Sequence, residues 1–389
     1  MGTVAVSRTD RVPPTLPGGE LVLEPPPEPE RVVPSGLLLR LLPLVMLLAS
    51  IGFIAVLGAQ NPTSWLFGGM FMVSTLGMLL AGGGRSGGGR AAAVDEDRRD
   101  YLRYLSTLRR TVRRIGADQR AALESVHPEP AAWPAVLAEG RLWERSPADP
   151  DFGQLRIGHG PQRLGTHLVA PQTGPVDGIE PVTALALRRF LLAHAAVPDL
   201  PVALSVRAAN VVWLEAGADG DPAPARALAR ALVAQYVLWH SPADALLAVV
   251  APGRAAAEWD WVKWLPHAAH PRRRDAVGPA RMVTADADDL RLWWQVELAG
   301  RAQGPGEGEP HLLVVVDGAA EAPGPWAGVA GVTVLRVGAP PGRTPGPTVL
   351  RLRVGPGELR RGAENVLVGE PDALCRAEAV ALARRMARY

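Results

Sequence analysis

Between Leu37 and Ala81 the chain is almost purely apolar, and this stretch limits what it can fold into more than any other. Two runs, LLLRLLPLVMLLASIGFIAVLG and WLFGGMFMVSTLGMLLA, flank the short link AQNPTS. Beyond Arg40, the stretch holds no charged residue. A lipid core roughly 30 Å thick needs about 20 apolar residues in a helix. The first run meets that length. The second lies near the lower limit and draws on Gln60–Ser64 or on the glycines that follow. A helix also satisfies its own backbone hydrogen bonds, as lipid requires. The spacing therefore predicts a two-helix transmembrane hairpin over 37–81. A buried hairpin in a soluble core conflicts with the missing polar face. A cleaved leader conflicts with the long proline-rich arm in front and the second apolar run behind.

Arginine sets the orientation. Arg31 and Arg40 precede the first run, Arg85, Arg90, Arg98 and Arg99 follow the second, and the link carries no charge. The positive-inside rule places both termini in the cytosol, beneath the plasma membrane. Arg40, Trp65, Arg85 and Arg90 then fall at the membrane interfaces.

Four regions follow. Residues 1–36, rich in proline, are expected to form a disordered cytosolic arm, whose patch Leu21–Leu23 either adds a strand to a neighbour or rides in a tether. After the hairpin (37–81), residues 82–127 comprise the joint GGGRSGGG and a stalk helix. Tyr101, Tyr104, Leu108, Thr111 and Ile115 recur there at helical spacing. That stripe pairs with a copy of itself or another subunit, or lies on its own domain; its arginines can also meet anionic headgroups. Residues 128–389 alternate strands and helices. VVWLEAG, LLAVVAPG, HLLVVVDG and VTVLRVGA read as strands. PVTALALRRFLLAHAA, ARALARALVAQYVLWH, DADDLRLWWQVELAG and a last helix over about Asp372–Arg388 separate or follow them. The fold class expected is α/β, with a mostly parallel sheet covered on both faces.

The charge balance of +2 gives no general pull toward nucleic acid. The lone Cys375 excludes an intrachain disulfide and suits a reducing compartment. The chain holds a single lysine, Lys263.

VVWLEAG runs through a Gly/Asp/Pro loop into a helix, as a strand does before a phosphate-binding loop. HLLVVVDG ends in Asp317, where a Walker B aspartate would hold Mg²⁺. Gripping phosphate requires GxxxxGK[ST], with glycine N–H groups, a lysine and a hydroxyl. Here the loop reads GADGDPAPARA. It lacks lysine, its prolines remove donors and its aspartates repel phosphate. Gly318 follows Asp317, so no acid is present to position water. A degenerate P-loop-like domain that does not hydrolyse ATP by itself is the expectation, with Asp317 a vestige and no catalytic residue.

The string EWDWVKWLPHAAHP sets Trp259, Trp261 and Trp264 around Lys263, followed by Pro266 and His267. It reads either as a core plug or as a partner-contact surface. His267 and His270 share a spacing that a metal can bridge, but no third ligand stands in the same stretch. No metal is expected.

These strings, together with ELVLEPPPEPER, RLWERSPADPDFGQLRIGHG, LRRFLLAHAAVPDLPVALSVR and EAVALARRMARY, resemble the N-terminal part of EccC. This is the membrane-bound FtsK/SpoIIIE-type ATPase of actinobacterial type VII (ESX) secretion. The resemblance implies a membrane anchor and coupling subunit for protein export, working with EccB, EccD and EccE. It implies self-association, hexameric in the assembled machine, and WXG100-type substrates engaged by motor domains that this sequence does not contain. ATP and Mg²⁺ would belong to those motors. The competing functions are a membrane-anchored FtsK-like DNA translocase fragment, which should bind DNA with a steep salt dependence, and a nucleotide-sensing membrane regulator.

Overall fold

The computed structural model describes residues 6, 11–28, 45–52, 55–56, 62–172, 179–217, 219–304, 308–318, 328–338, 349–362 and 364–389. For 62–65 and 78–91 the description covers the backbone alone. The chain divides into two compact units.

The smaller unit comprises Gly18–Ile115 and Thr166–Ala195. Its strand β1 (Glu20–Val22) lies parallel to β3 (His167–Val169), with Leu21 opposite Leu168. The arm expected to be disordered thus supplies a strand to its own chain, and the apolar patch is what pairs. Tyr101 donates its hydroxyl to the Glu24 carbonyl, and Tyr104 accepts the Glu24 N–H, each at 3.0 Å.

Both tyrosines stand on α1 (Pro62–Val126), a single helix of 65 residues. At 1.5 Å per residue it is roughly 100 Å long. The flexible joint expected at GGGRSGGG is absent as a break, because the backbone stays helical through 82–89. Glycine costs about 1 kcal/mol per position relative to alanine. Helix already formed on both sides, with no proline between, lets propagation continue through the run. Helix α2 (Pro181–His194) starts on Glu180, whose carboxylate accepts the Thr183 N–H at 2.7 Å and the Arg98 guanidinium at 2.8 Å.

Among the described residues, no helix is long and apolar enough to cross a membrane. The expected two-helix hairpin is therefore not found there. Much of its first run, Arg40 included, lies outside the described residues, and its second run is the beginning of α1.

The larger unit comprises Met1–Pro17, Gly116–Gly165 and Ala196–Tyr389. Its sheet joins β2 (Gln154–Arg163), β4 (Ala196–Ser205), β5 (Val211–Ala216), β6 (Ala245–Val250), β9 (Val283–Thr284), β10 (His311–Asp317), β11 (Val332–Val337), β12 (Val349–Gly355), β13 (Glu358–Arg361) and β14 (Val366–Pro371). The strand order is β4-β2-β14-β13-β12-β5-β11-β10-β6-β9, and β7 (Ala269–Arg274) pairs separately with β8 (Pro279–Arg281) in an antiparallel ribbon. From β12 to β9 all neighbours are parallel; from β4 to β12 they are antiparallel.

Strands β6, β10 and β11 are buried along their whole length on both faces, which explains the long apolar runs of the first two. Val212, Leu214, Val315 and Leu335 face the cluster containing α3 (Ala223–Trp239) and α5 (Arg376–Met386). Val211, Trp213, Val314 and Val334 point the other way, with Leu290 and Trp294 of α4 (Ala287–Leu298). The alternation follows from the two-residue period of a strand.

Strands β13 and β14 are linked by a bulge, and β14 meets β2 through Glu370–His159 and Pro371–Gly158. That junction tolerates no side chain. A Cβ at Gly158, Gly160 or Gly369 would run into the carbonyls of Glu370, Val368 and His159, respectively.

Candidate functional site

In an open α/β sheet, ligands bind beyond the carboxyl ends of the parallel strands, where the strand order reverses. Here β5 is that point, flanked by β11 and β12, and it leads through a loop into α3. Among the described residues of this loop, three N–H donors that could meet a phosphate are bonded within the loop. Gly220 N–H donates to the Gly217 carbonyl at 3.1 Å. Asp221 N–H donates to Asp219 Oδ1 at 3.2 Å, and Ala223 N–H to Asp221 Oδ1 at 2.9 Å. Pro222 and Pro224 have none to give. The helix terminus, which would otherwise draw an anion, faces two aspartates.

Asp317, at the end of β10, is committed in the same way. Arg226, in the first turn of α3, grips it with two parallel bonds, Nε–Oδ2 at 2.9 Å and Nη2–Oδ1 at 3.1 Å. Trp259 Nε1 donates to Oδ2 at 2.9 Å. The bond to Asp317 holds the Arg226 guanidinium above its ordinary pKa. A planar, bidentate, charge-assisted pair is among the stronger polar contacts available to a protein. Both oxygens of Asp317 are thus engaged by the chain's own cation.

One turn on, Arg230 donates to the Leu374 carbonyl at 2.8 Å and to Glu258 at 3.0 Å. Leu374 in turn donates its N–H to the Ala227 carbonyl at 3.1 Å. The segment that carries Asp372 and Leu374 from β14 into α5 is therefore fastened along α3.

A second arginine constellation closes around the end of α1. The last carbonyls of a helix lack partners within it and carry the negative end of its dipole. Arg141 Nη2 donates to the Ser125 carbonyl at 3.1 Å, Arg145 Nη2 to Val126 at 2.5 Å, and Arg156 Nη1 to His127 at 3.3 Å. Each cation has a carboxylate. Glu144 holds Arg141 at 2.9 Å, Asp151 holds Arg145 at 3.2 Å, and Asp372 faces Arg156 at 3.1 Å. Arg11, from the N-terminal arm, spans Glu144 and Asp151. Burial pushes Arg145 down to about 10 against the opposing pull of Asp151, so it remains charged at neutral pH. Burial likewise raises the Asp372 carboxyl in spite of Arg156. Arg156 therefore touches both the end of α1 and the residue that leads into α5.

The tryptophan string divides between the two roles considered for it. Trp259 and Trp261 are buried, the second donating to the Glu258 carbonyl at 3.0 Å. Trp264 is half exposed and lies under Lys263 and Arg384. Lys263 is bound to Asp260 at 2.7 Å. His267, next to the half-buried Pro266, gives its Nε2 to the His240 carbonyl at 2.8 Å, and burial lowers its pKa to about 4. His270 uses one ring nitrogen for the Trp293 carbonyl and the other for the N–H groups of Arg272 and Arg273. The two histidines are thus occupied separately. Among the described residues, no three His, Cys, Asp or Glu side chains are placed to share a metal. Trp65, Arg85 and Arg90 fall in the part of α1 described by backbone alone.

Sequence reading missed Arg226, Arg230 and the three arginines at the α1 terminus. Their partners lie up to 216 positions away, as Asp372 does from Arg156, and nothing local marks them. The one available signal was the pairing of RLWER with the end of the stalk, two arginines closely following a helix C-terminus.

These contacts define a class: an α/β domain with a mostly parallel sheet covered by helices on both faces, in which Arg226 binds the carboxylate that ends β10. Comparison with known proteins narrows it. The chain is 39% identical, over its whole length, to the ESX secretion system protein EccC of Thermomonospora curvata, covering 30% of that protein. It is 36% identical over 95% of its length to the ESX-4 secretion system protein EccC4 of Mycobacterium tuberculosis, covering 28% of it. No family model matches. The solved cytoplasmic domain of the Thermomonospora curvata type VII secretion ATPase EccC overlaps 45% of this chain and 25% of that one, at 12% identity and a TM-score of 0.28, a likeness too slight to define a fold. The chain belongs to the EccC family of ESX secretion components, and it spans about 30% of the length of the curated relatives it matches.

Proposed function

We propose that this part of the protein is the anchor and coupling segment of a type VII secretion machine. The apolar sequence of 37–81 would hold it in the plasma membrane as two passes, with both termini in the cytosol. Helix α1 would carry displacement along its length. The α/β domain would pass that displacement to motor domains elsewhere in the machine, where ATP and Mg²⁺ would act on WXG100-type substrates. EccB, EccD and EccE are the partners proposed, in a hexameric assembly.

The observation that carries this reading is the position of Arg156. One buried side chain bonds the final carbonyl region of α1 and faces the residue leading into α5. A displacement of the helix end must therefore move the start of α5 or break a buried ion pair. Nucleotide is not required for this role, which accords with the engagement of both Asp317 oxygens by Arg226.

Co-purification tests the proposal. The full chain, extracted in mild detergent from its host, is expected to bring EccB, EccD and EccE with it. Protease added to intact spheroplasts should leave 128–389 uncut. Failure to associate with all three, or cleavage of the α/β domain from outside, would sink the assignment.

A further inference from the structure

The smaller unit carries an exposed apolar face on α2. On α2, Val182, Leu185 and Leu192 are 48%, 47% and 70% exposed. Their spacings place them within one arc of the helix, together with Ala186, Arg189 and Ala193. Beside that arc lies a groove of about 410 Å³, whose other wall is Leu102, Ser106 and Arg109 of α1. Apolar residues at helical spacing normally face a partner.

The charge around this groove has one sign. Residues 101–117 hold five arginines and no acid, and 181–195 hold two more and no acid. Among the described residues, Arg109, Arg113, Arg114, Arg188 and Arg189 make no ion pair. By contrast, Asp95, Glu96 and Asp100 are already engaged by Arg98, Arg99 and Arg103 on their own helix. A second copy of α1 would thus bring arginines to arginines.

We infer that the groove between α1 and α2 docks an acidic amphipathic helix from another protein. Its apolar stripe would lie on Leu102, Leu185 and Leu192, and its flanking Asp and Glu would meet Arg109, Arg113 and Arg189. A concave seat between two helices suits a third helix, since side-chain ridges settle into such grooves. A flat bilayer would reach the outer arc of α2 and leave the groove empty.

The test uses the full chain in zwitterionic nanodiscs, with empty nanodiscs as blank. The probe is a fluorescent three-heptad peptide with Leu at a and d and Glu at e and g; a second peptide carries Lys in place of Glu. Anisotropy should saturate with the glutamate peptide and stay flat with the lysine peptide. Leu185→Glu/Leu192→Glu should weaken binding at least about tenfold. Arg109→Glu/Arg113→Glu should lose the glutamate peptide and gain the lysine one. All four positions face solvent or the groove, and circular dichroism checks that the variants stay helical. Equal uptake of both peptides, indifference to these substitutions, or binding to phosphatidylglycerol vesicles without binding to the peptide would each overturn the inference. Co-purification with EccB, EccD and EccE does not enter this readout, so the two proposals fail independently.

Discussion

Arg226 closes on Asp317 as a bidentate pair, 2.9 and 3.1 Å, and thereby engages both carboxylate oxygens at the end of β10. Calorimetry of the full chain with ATP–Mg²⁺ should accordingly show no binding heat. Arg226→Ala should not rescue binding, because the loop donors remain committed to Gly217, Asp219 and Asp221. It leaves Asp317 buried with Trp259 alone, at a cost of about 2–4 kcal/mol. Arg226→Met/Asp317→Leu should recover most of that, because an apolar pair leaves no charge behind. Thermal denaturation of the three proteins decides it. Tight nucleotide binding by any of them contradicts the occupancy described.

The clamp on α1 should behave as a coupled unit. Arg156→Met and Asp372→Asn each loosen the helix end from the segment entering α5. Made together, they should cost less than the sum of the two, with a coupling of about 0.5–3 kcal/mol. Hydrogen exchange supplies the spatial readout. Amides near 123–127 and near 376–379 should both lose protection in Arg156→Met, whereas Arg230→Met should expose the second stretch alone. Independent responses of the two stretches to Arg156→Met would mean the side chain joins nothing.

The elements readable from sequence are those whose pattern is set by local chemistry. ARALARALVAQYVLWH reads as an amphipathic helix and HLLVVVDG as a strand buried on both faces; both elements form, but the helix is buried nearly all round. The antiparallel extension was not legible. VLRLRVG, ELRR and VLVGEP are short, carry four arginines, and are paired by a bulge and glycine contacts that no periodicity announces. GGGRSGGG misled because glycine content sets a cost for helix and not a prohibition. The missing lysine and the prolines of the loop are in the sequence, but the match between Arg226 and Asp317 spans 91 positions and exists only once the sheet brings them together.

Acid should unfold the larger unit through its buried histidines. Burial, with Arg145 adding to it, lowers His127 to about 3. Burial brings His311 to about 3 and His267 to about 4, and puts His240 well below its ordinary value. Between about pH 6.5 and those values the unfolded chain binds protons that the folded chain does not, so stability falls as pH falls. Each such group contributes about 1.4 kcal/mol per pH unit within its window. Asp372 opposes the trend, because burial makes its folded form take up a proton at a higher pH than the unfolded chain. In the smaller unit, burial would raise Glu180, but Arg98 and the Thr183 N–H hold it down to about 2. Its contribution is present above about pH 4.5 and is lost as pH falls toward 2. Exchange-monitored titration should therefore show β10 and α3 losing protection at a higher pH than the start of α2. The reverse order would contradict the assignment of neutral buried imidazoles.

The seam between β2 and β14 offers the sharpest steric test. At Gly160 a methyl group would meet the Val368 carbonyl, which is backbone and cannot rotate aside. Gly160→Ala should force the strands apart and cost about 1–3 kcal/mol, as overpacking does. Gly140→Ala is a useful contrast. A Cβ there meets nothing, but its φ of +75° still strains an L-residue, so its smaller penalty is conformational. The two separate in exchange data. Gly160→Ala should release the amide of Asp372, which donates to the Ile157 carbonyl at 2.9 Å across this seam, and with it the approach to Arg156. Gly140→Ala should leave that amide protected. Equal protection of Asp372 in both variants would show that the seam does not hold the segment entering α5.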